Sequence, residues 1–500
     1  MPPGAMPKVN YSLTALQAVR LLGDWVDGRP AYVALASAFR ALITDDRLPV
    51  GTRIPSERSL ATHCGISRNT VTAAFGLLRA EGYLEGARGA GSVTAFPGEA
   101  RRPRPAPAER PAGAAAGARI DLATDTTPDP GPLLTDAVHH AAAQLGGHPA
   151  DAAHSRVGLY ELREAIAAHY GRRGLPTTPG EVMITTGAYQ GWGLLLRLMA
   201  RRFEPVLVDS PTDPDALHAI RSIAGRPLPV GLGPQGWDPD LVGSALRQAR
   251  PVLAYLMPDH HRPTGHLMSD AARRQVVSAA RSSATVLVAD ETLADLTLDG
   301  TAAAPLACYG NRGEVVSIGS LSPVLWSGLD LGWIRASATV IGRLARLRGP
   351  GDAGNSLVNQ LIACRLFESH DALLTERRTV LRTRRDALVE ALRALAPDWR
   401  FTAPRGGLSL WVDLGERIGS RLAAAASTHH GVDVLSGSRF AVEGSLDGFV
   451  RLPYVQPADV LAEGVRNLVR AAAHLRGPQV RESHHQGPRL SHRERELVAA

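Results

Sequence analysis

Two stretches of this sequence carry residues whose types and spacing could meet an anion. Ser67, Arg68, Asn69 and Thr70 stand at the start of an amphipathic run with Val71, Phe75 and Leu78 on one side. A helix starting there offers its first backbone N–H groups, and the Arg68 guanidinium, to a phosphate or a guanine edge. Thr186, Gly187 and Ala188 open a second helix, whose N–H groups could cradle a phosphate. The hydroxyls of Ser320 and Ser322 could also donate to it, although capping and turn bonds are the plainer role for them. Covalent chemistry through an amine has almost nothing to work with. The only lysine in 500 residues is Lys8, in a Pro/Gly-rich tail. Adjacent histidines at 139/140, 260/261, 429/430 and 484/485 invite a metal reading. Neighbours on a helix point different ways and no third ligand is spaced to help, so no metal site is expected.

The elements that must position these residues can fill two or three domains with ample core. A hydrophobic content of 44% and a charged content of 21% describe an ordinary globular protein. The formal charge of +7 permits nucleic-acid binding without requiring it. Three distant cysteines, Cys64, Cys308 and Cys364, exclude a disulfide framework and a CxxC-type zinc site. No apolar run reaches membrane-spanning length and no signal-peptide pattern opens the chain, so a cytoplasmic location is expected.

Residues 1–29 read as an N-terminal extension, with helical apolar spacing over 13–26. Residues 30–96 read as one unit. A helix is predicted over 32–44, then a Pro/Gly turn, then a helix over 57–64 capped by Ser56 and ended by Gly65. Ser67 caps the next helix, which runs to Ala80, and two short strands around a Gly-rich tip follow. Two short helices joined by a Gly-containing turn make a helix-turn-helix; the strand pair makes a wing. Seven Arg against five acidic residues over 30–96 give this unit only +2, so two copies in a dimer are expected to be needed for firm DNA binding. Residues 97–118 are a Pro/Ala/Arg-rich linker. Over 119–475, strand candidates at 182–185, 205–208, 252–256, 285–289, 314–318 and 331–334 alternate with helical patterns. That order predicts a doubly wound α/β body, followed by a smaller α+β part with strands near 408–413 and 449–454 and a long helix near 371–395. Residues 476–500 are polar, basic and His-rich, and are expected to be a disordered tail.

The stretch GTRIPSERSLATHCGISRNTVTAAFGLLRAEGYLEGARGAGS resembles the GntR-type winged helix over the whole unit. The resemblance implies DNA contacts from Arg58, Ser67, Arg68, Asn69 and Thr70, with Arg88 and Gly89 at the wing tip against the minor groove. Residues 119–475 resemble a fold-type I aminotransferase, through GLYELREAIAAHYGRRG, TTGAYQG, HHRPTG, DETLADL, SIGSLSPVLWSGLDLGW and FVRLPYV. Together the two parts look like a MocR-type transcriptional regulator. The fold class implied is α/β: an N-terminal winged helix-turn-helix plus a pyridoxal phosphate (PLP)-dependent transferase-like body, with a large doubly wound domain and a small C-terminal α+β domain.

Within that resemblance the pocket is only partly present. Thr186–Ala188, Ser320 and Ser322 match the phosphate positions; Asp290 stands where the family's acid meets the pyridine nitrogen; Arg451 stands where its arginine grips a substrate carboxylate. Pro323 stands where the Schiff-base lysine belongs, Asp330 where the phosphate arginine belongs, and Asp213 where the ring-stacking aromatic belongs. Leu293 replaces the tyrosine near the ring hydroxyl, and Arg262 the asparagine of N-P-T-G. Asp330 reverses a charge, which would repel a nearby phosphate. Asp290 also fits a plain structural acid at a strand end, and Arg451 a buried structural ion pair. The expectation is a homodimeric regulator of a double-stranded DNA operator, not an enzyme. PLP would bind it only non-covalently, and a small carboxylate is the effector class that Arg451 suggests. The alternative is a PLP-binding regulator or aminotransferase with residual cofactor binding.

Overall fold

The computed structural model describes residues 13–476, apart from 24, 27–28, 45–47, 49–51, 88–90, 96–118, 128–130, 149–154, 311–312, 350–351, 353 and 443–445. The linker at 97–118, the tail beyond Arg476, Lys8 and the wing-tip pair Arg88 and Gly89 therefore lie outside the described residues.

The N-terminal unit forms from local signals. Helix Ala31–Thr44 packs against helix Arg68–Ala80, and Phe39 meets Phe75 edge-on at 5.7 Å. Leu35, Leu42, Leu60, Val71, Ala74 and Leu78 complete a core from which water is excluded. Ser56 caps helix Glu57–Cys64 by accepting from the Ser59 N–H at 3.2 Å, and Gly65 ends it in the left-handed region at φ 66°. Strands β1 (Leu84–Ala87) and β2 (Gly91–Thr94) pair antiparallel as the wing. A segment the sequence reading left as a turn adds to it: Ile54 donates to Ser92 and Thr94 to Thr52. Helix Ala15–Leu22, held by a Thr14/Gln17 capping box, buries Ala18 and Leu22 in this same core.

The body is built on two sheets. β3 (Ile120–Leu122) begins it. Then come β4 (Val182–Thr185), β5 (Pro205–Ser210), β6 (Arg226–Gly231), β7 (Leu253–Leu256), β8 (Val286–Asp290), β9 (Val315–Ser320) and β10 (Gly332–Arg335). β11 (Ser409–Asp413), β12 (Val432–Ser436) and β13 (Phe449–Pro453) close the set. The large sheet runs β4-β10-β9-β8-β7-β5-β6, parallel except that β10 opposes both its neighbours. Its central strands are buried on both faces, as the apolar runs require. The small sheet runs β11-β13-β12-β3, with β3 parallel to β12. Helices His370–Leu395 and Ala458–Arg476 pack on each other in the small-sheet region, burying Leu388, Leu392, Leu461, Val465 and Leu468.

The doubly wound order agrees with the expectation, and three strands exceed it. β6 carries Pro227 and Pro229, which an edge strand tolerates because one side of it makes no ladder. β3 has three residues, and β12 has five, starting right after Gly431, which leaves the preceding helix in the left-handed region at φ 64°. No helix among the described residues is long and apolar enough to cross a membrane.

Candidate functional site

The recognition helix presents its N-terminus to solvent. Ser67 Oγ accepts from the Thr70 N–H at 3.1 Å and pairs with Thr70 Oγ1 at 2.8 Å, so these two residues are committed to the cap. Ser67, Arg68, Asn69 and Arg58 are exposed, while Thr70 is half-buried. Neither Arg58 nor Arg68 makes an ion pair among the described residues. Other charges of the unit are spent internally. Arg40 binds Glu81 through two nitrogens, and Arg79 bridges Glu57 and Ser92. Arg58 and Arg68 are thus left open to solvent at the two helix starts where the motif places DNA contacts.

The pocket residues of the body lie at the carboxyl ends of β4, β5, β8 and β9, where open α/β sheets bind ligands. Gly187, at φ 86°, lets the chain leave β4 into helix Ala188–Met199. β10 runs so close that a Cβ on Gly332 would sit 2.5 Å from the Gly187 carbonyl carbon. One donor of this cradle is already used: the Thr186 N–H bonds Gln190 Oε1 at 2.8 Å. Gln190 Oε1 is itself held by Arg348 at 3.0 Å. Ser320 Oγ donates to the Leu331 carbonyl and accepts from the Ser322 N–H, which is the turn role. Pro323 follows in that turn, and the Ser322 carbonyl is held by Thr127 Oγ1 at 2.8 Å.

Asp290 closes β8, buried. Its Oδ2 accepts from the Tyr255 hydroxyl at 2.5 Å and its Oδ1 from the Thr292 N–H at 3.0 Å. Burial pushes its carboxyl up, against the pull of these donors. Tyr255 packs on Trp192 at 5.0 Å, and Trp192 donates to the Ala216 carbonyl. Leu293 is buried.

The arginine at the far wall is also taken. The Arg451 guanidinium lies over Phe440, donates to the Ala123 carbonyl, and reaches Asp125 Oδ2 at 3.2 Å. Asp125 Oδ2 also meets Arg262 at 3.3 Å, and Arg262 continues to Asp213 Oδ2 at 3.3 Å and to the Tyr189 hydroxyl at 3.2 Å. One buried guanidinium, Arg451, and one half-buried, Arg262, thus face two carboxylates. Burial pushes Asp125 up, but Arg262 and Arg451 outweigh it and hold its carboxyl below the usual range. Asp213 caps helix Pro214–Ser222 through the Asp215 and Ala216 N–H groups.

Of the two roles open for Arg451, the ion pair is the one present: a carboxylate of the chain itself holds it. Asp213, at the ring-stacking position, is a helix cap joined to Arg262. Asp330 is exposed, in a left-handed conformation at φ 46° just before β10, so its charge faces solvent. Asp125, Tyr255 and Trp192 were missed, since none sits at a motif position. Asp125 reaches Arg451 because β3 joins the small sheet and Asp121 then turns the chain by accepting from the Ala123 and Thr124 N–H groups. Of the histidine pairs, His260 bonds Thr297 and His261 bonds Thr264. His429 and His430 pack against His474. His484 and His485 lie outside the described residues.

Comparison with known proteins agrees with this geometry. Residues 119–470 match the family described as aminotransferase class I and II. Residues 31–93 match the bacterial regulatory proteins of the gntR family. A Bacillus subtilis protein named uncharacterized HTH-type transcriptional regulator YisV is 28% identical over 428 residues, covering 79% of this chain and 87% of its own. The HTH-type transcriptional regulator TauR of Rhodobacter capsulatus is 26% identical over 486 residues, covering 88% of this chain and 96% of its own. The crystal structure of LysN, an α-aminoadipate aminotransferase from Thermus thermophilus, superposes with a TM-score of 0.65 at 27% identity, covering 71% of this chain and 92% of that one. The chain belongs to the aminotransferase class I and II family and carries a gntR-family domain ahead of that body, the arrangement of MocR-type transcriptional regulators.

Proposed function

We propose that this protein is a DNA-binding transcriptional regulator whose aminotransferase-like body serves as a dimerisation scaffold and an effector sensor, without catalysing transamination. The relatives named as HTH-type regulators support the DNA-binding half. The observation that carries the other half is the filled pocket. PLP chemistry in this family runs through a lysine amine, and the only lysine here is Lys8. Asp290 Oδ2 is held by Tyr255, the Thr186 N–H by Gln190, and Arg451 by Asp125. Lysine-linked PLP does not fit these residues, so no reaction step runs through it.

Arg58, Arg68 and Asn69 supply the readout. Two winged helices, spaced by a dimeric body, would match two half-sites. A carboxylate effector would have to displace Asp125 from Arg451. It would act only through different affinities for two arrangements of the dimer.

Gel-shift titration of operator DNA with the Arg68→Ala, Asn69→Ala double variant tests the first half. Each base contact is worth about 1–3 kcal/mol, so a loss of about 100-fold or more is expected. Unchanged binding would sink it. Titration with PLP, followed by visible absorbance and dialysis, tests the second. Neither a spectral shift nor retention is expected. A borohydride-fixed adduct on Lys8 would overturn the non-catalytic reading, and saturable, dialysable binding would restore PLP as the effector.

A further inference from the structure

Outside the pocket, three side chains from distant parts of the chain converge in the large domain. His169 lies in helix Tyr160–Arg172, Asp295 in the turn after β8, and His370 at the start of the long helix His370–Leu395. His169 is 5% exposed and His370 2%. Asp295 Oδ2 stands 3.4 Å from His169 Nε2 and 3.5 Å from His370 Nε2. One ligand-type atom from each residue lies within 4.8 Å of the others. Both ring nitrogens of His370 are buried without a hydrogen-bond partner. Each lies near a carboxylate oxygen beyond hydrogen-bond geometry: Nε2 is 3.5 Å from Asp295 Oδ2 and Nδ1 3.7 Å from Asp371 Oδ1. Phe367 stacks on the His370 ring at 5.2 Å, and the His169 ring meets it edge-on at 4.9 Å.

The spacing has a simple explanation. A tetrahedral zinc ion with bonds of about 2.0–2.1 Å to nitrogen and oxygen holds its ligand atoms about 3.3–3.4 Å apart. The two Asp295 distances are close to the edges of such a tetrahedron. Two imidazoles and one carboxylate are a donor set that suits zinc and similar borderline divalent ions, with one position left for water. The Arg173 guanidinium, whose charge bears on Asp295 and His169, is itself paired with Glu291 at 3.3 Å. Arg378 holds the Asp295 backbone carbonyl at 2.7 Å, which fixes the turn that carries the carboxylate.

We propose that His169, Asp295 and His370 form a binding site for a single divalent transition-metal ion, with Zn²⁺ the best match. The ion would tie a helix of the large domain to the first turn of the long helix that leads into the small one. Its role would be structural. The site uses neither Asp290 nor Arg451, so its test does not depend on whether the pocket binds an effector.

The test uses full-length protein without an affinity tag, stripped with a chelator and titrated with Zn²⁺ by calorimetry and with Co²⁺ by visible absorption. One equivalent per chain is expected, together with a raised thermal midpoint and a tetrahedral cobalt band lacking thiolate charge transfer. His169→Gln with His370→Gln should abolish that equivalent while DNA binding in the gel shift persists. Asp295→Asn should weaken it. His484→Gln with His485→Gln should leave it intact. Absence of stoichiometric binding to the stripped protein would overturn the site. So would an equivalent that survives the His169/His370 double variant or disappears with the tail variant.

Discussion

Arginine plays opposite parts in the two halves of this molecule. In the winged helix, Arg58 and Arg68 are exposed at the starts of two capped helices, with no ion pair among the described residues. In the body, Arg451 is buried and Arg262 half-buried, and both are bound by Asp125, Arg262 also by Asp213. A guanidinium kept for a partner stays hydrated until the partner arrives. A guanidinium sealed in the interior must be neutralised by the chain itself, because an unpaired buried charge costs several kcal/mol. The contrast separates guanidinium groups left open to solvent from ones whose contacts have been turned inward.

The largest effect should come from breaking the inward-turned set. Asp125→Ala leaves Arg451 without its carboxylate and Arg262 with one of two. A loss of about 3–5 kcal/mol is expected in chemical denaturation of the body. Arg58→Ala removes a charge of the same kind from solvent, and should change stability by less than about 0.5 kcal/mol. Equal losses would mean that the two settings do not differ as described. Asp125→Ala also empties the carboxylate position on Arg451. Added small dicarboxylates should then stabilise the variant more than the parent protein, which a thermal-shift series would read.

How far these settings were legible differs between the halves. The winged helix is local: Ser56, Gly65 and Ser67 mark its boundaries, and helices Glu57–Cys64 and Arg68–Ala80 begin and end where those residues say. The large sheet was legible because parallel strands buried on both faces leave unbroken apolar runs such as Leu253–Leu256. The contents of the pocket were legible as retained and lost positions, but not as contacts. Pro323 and Asp330 showed which family groups are missing, but nothing local announces that Tyr255 bonds Asp290, or that a three-residue strand swings Asp125 onto Arg451. Those contacts depend on chain segments far apart in sequence, which periodicity and capping do not encode. The approach of His169, Asp295 and His370 is hidden for the same reason.

Acid should separate the halves next. Burial holds His260 low, at about 4, with Arg273, Arg405 and Arg378 adding to this and Asp259 opposing it. The fold therefore prefers the neutral ring. Its contribution is intact above the unfolded value near 6.5 and is lost as the pH falls from there to about 4. The expected loss is up to about 3 kcal/mol. His261, held at about 3, has the same sign. Asp209, which burial pushes to about 7 and which lies 3.6 Å from His261, has the opposite sign, so these two nearly cancel. Six of the seven tryptophans belong to the body, so tryptophan fluorescence reports its unfolding. His260→Gln should move the acid midpoint downward. The winged helix has a single histidine, the exposed His63. An unmoved midpoint would assign the acid sensitivity to other groups.

The smallest effect sharpens the comparison most, since it concerns the same device in both places. Ser67 and Asp213 each cap a helix, but Ser67 bonds only its own helix and the Thr70 hydroxyl, whereas Asp213 also carries Arg262. Ser67→Ala should cost about 1 kcal/mol, the usual value of a cap. Asp213→Asn keeps an oxygen for the Asp215 N–H while removing the charge from Arg262, so its cost above that of a cap measures the ion pair alone. If Asp213→Asn is as mild as Ser67→Ala, the buried network owes little to Asp213, and Asp125 alone neutralises both arginines. If it costs clearly more, the two carboxylates act as a set. A ligand entering the pocket would then have to replace one of them rather than add to them.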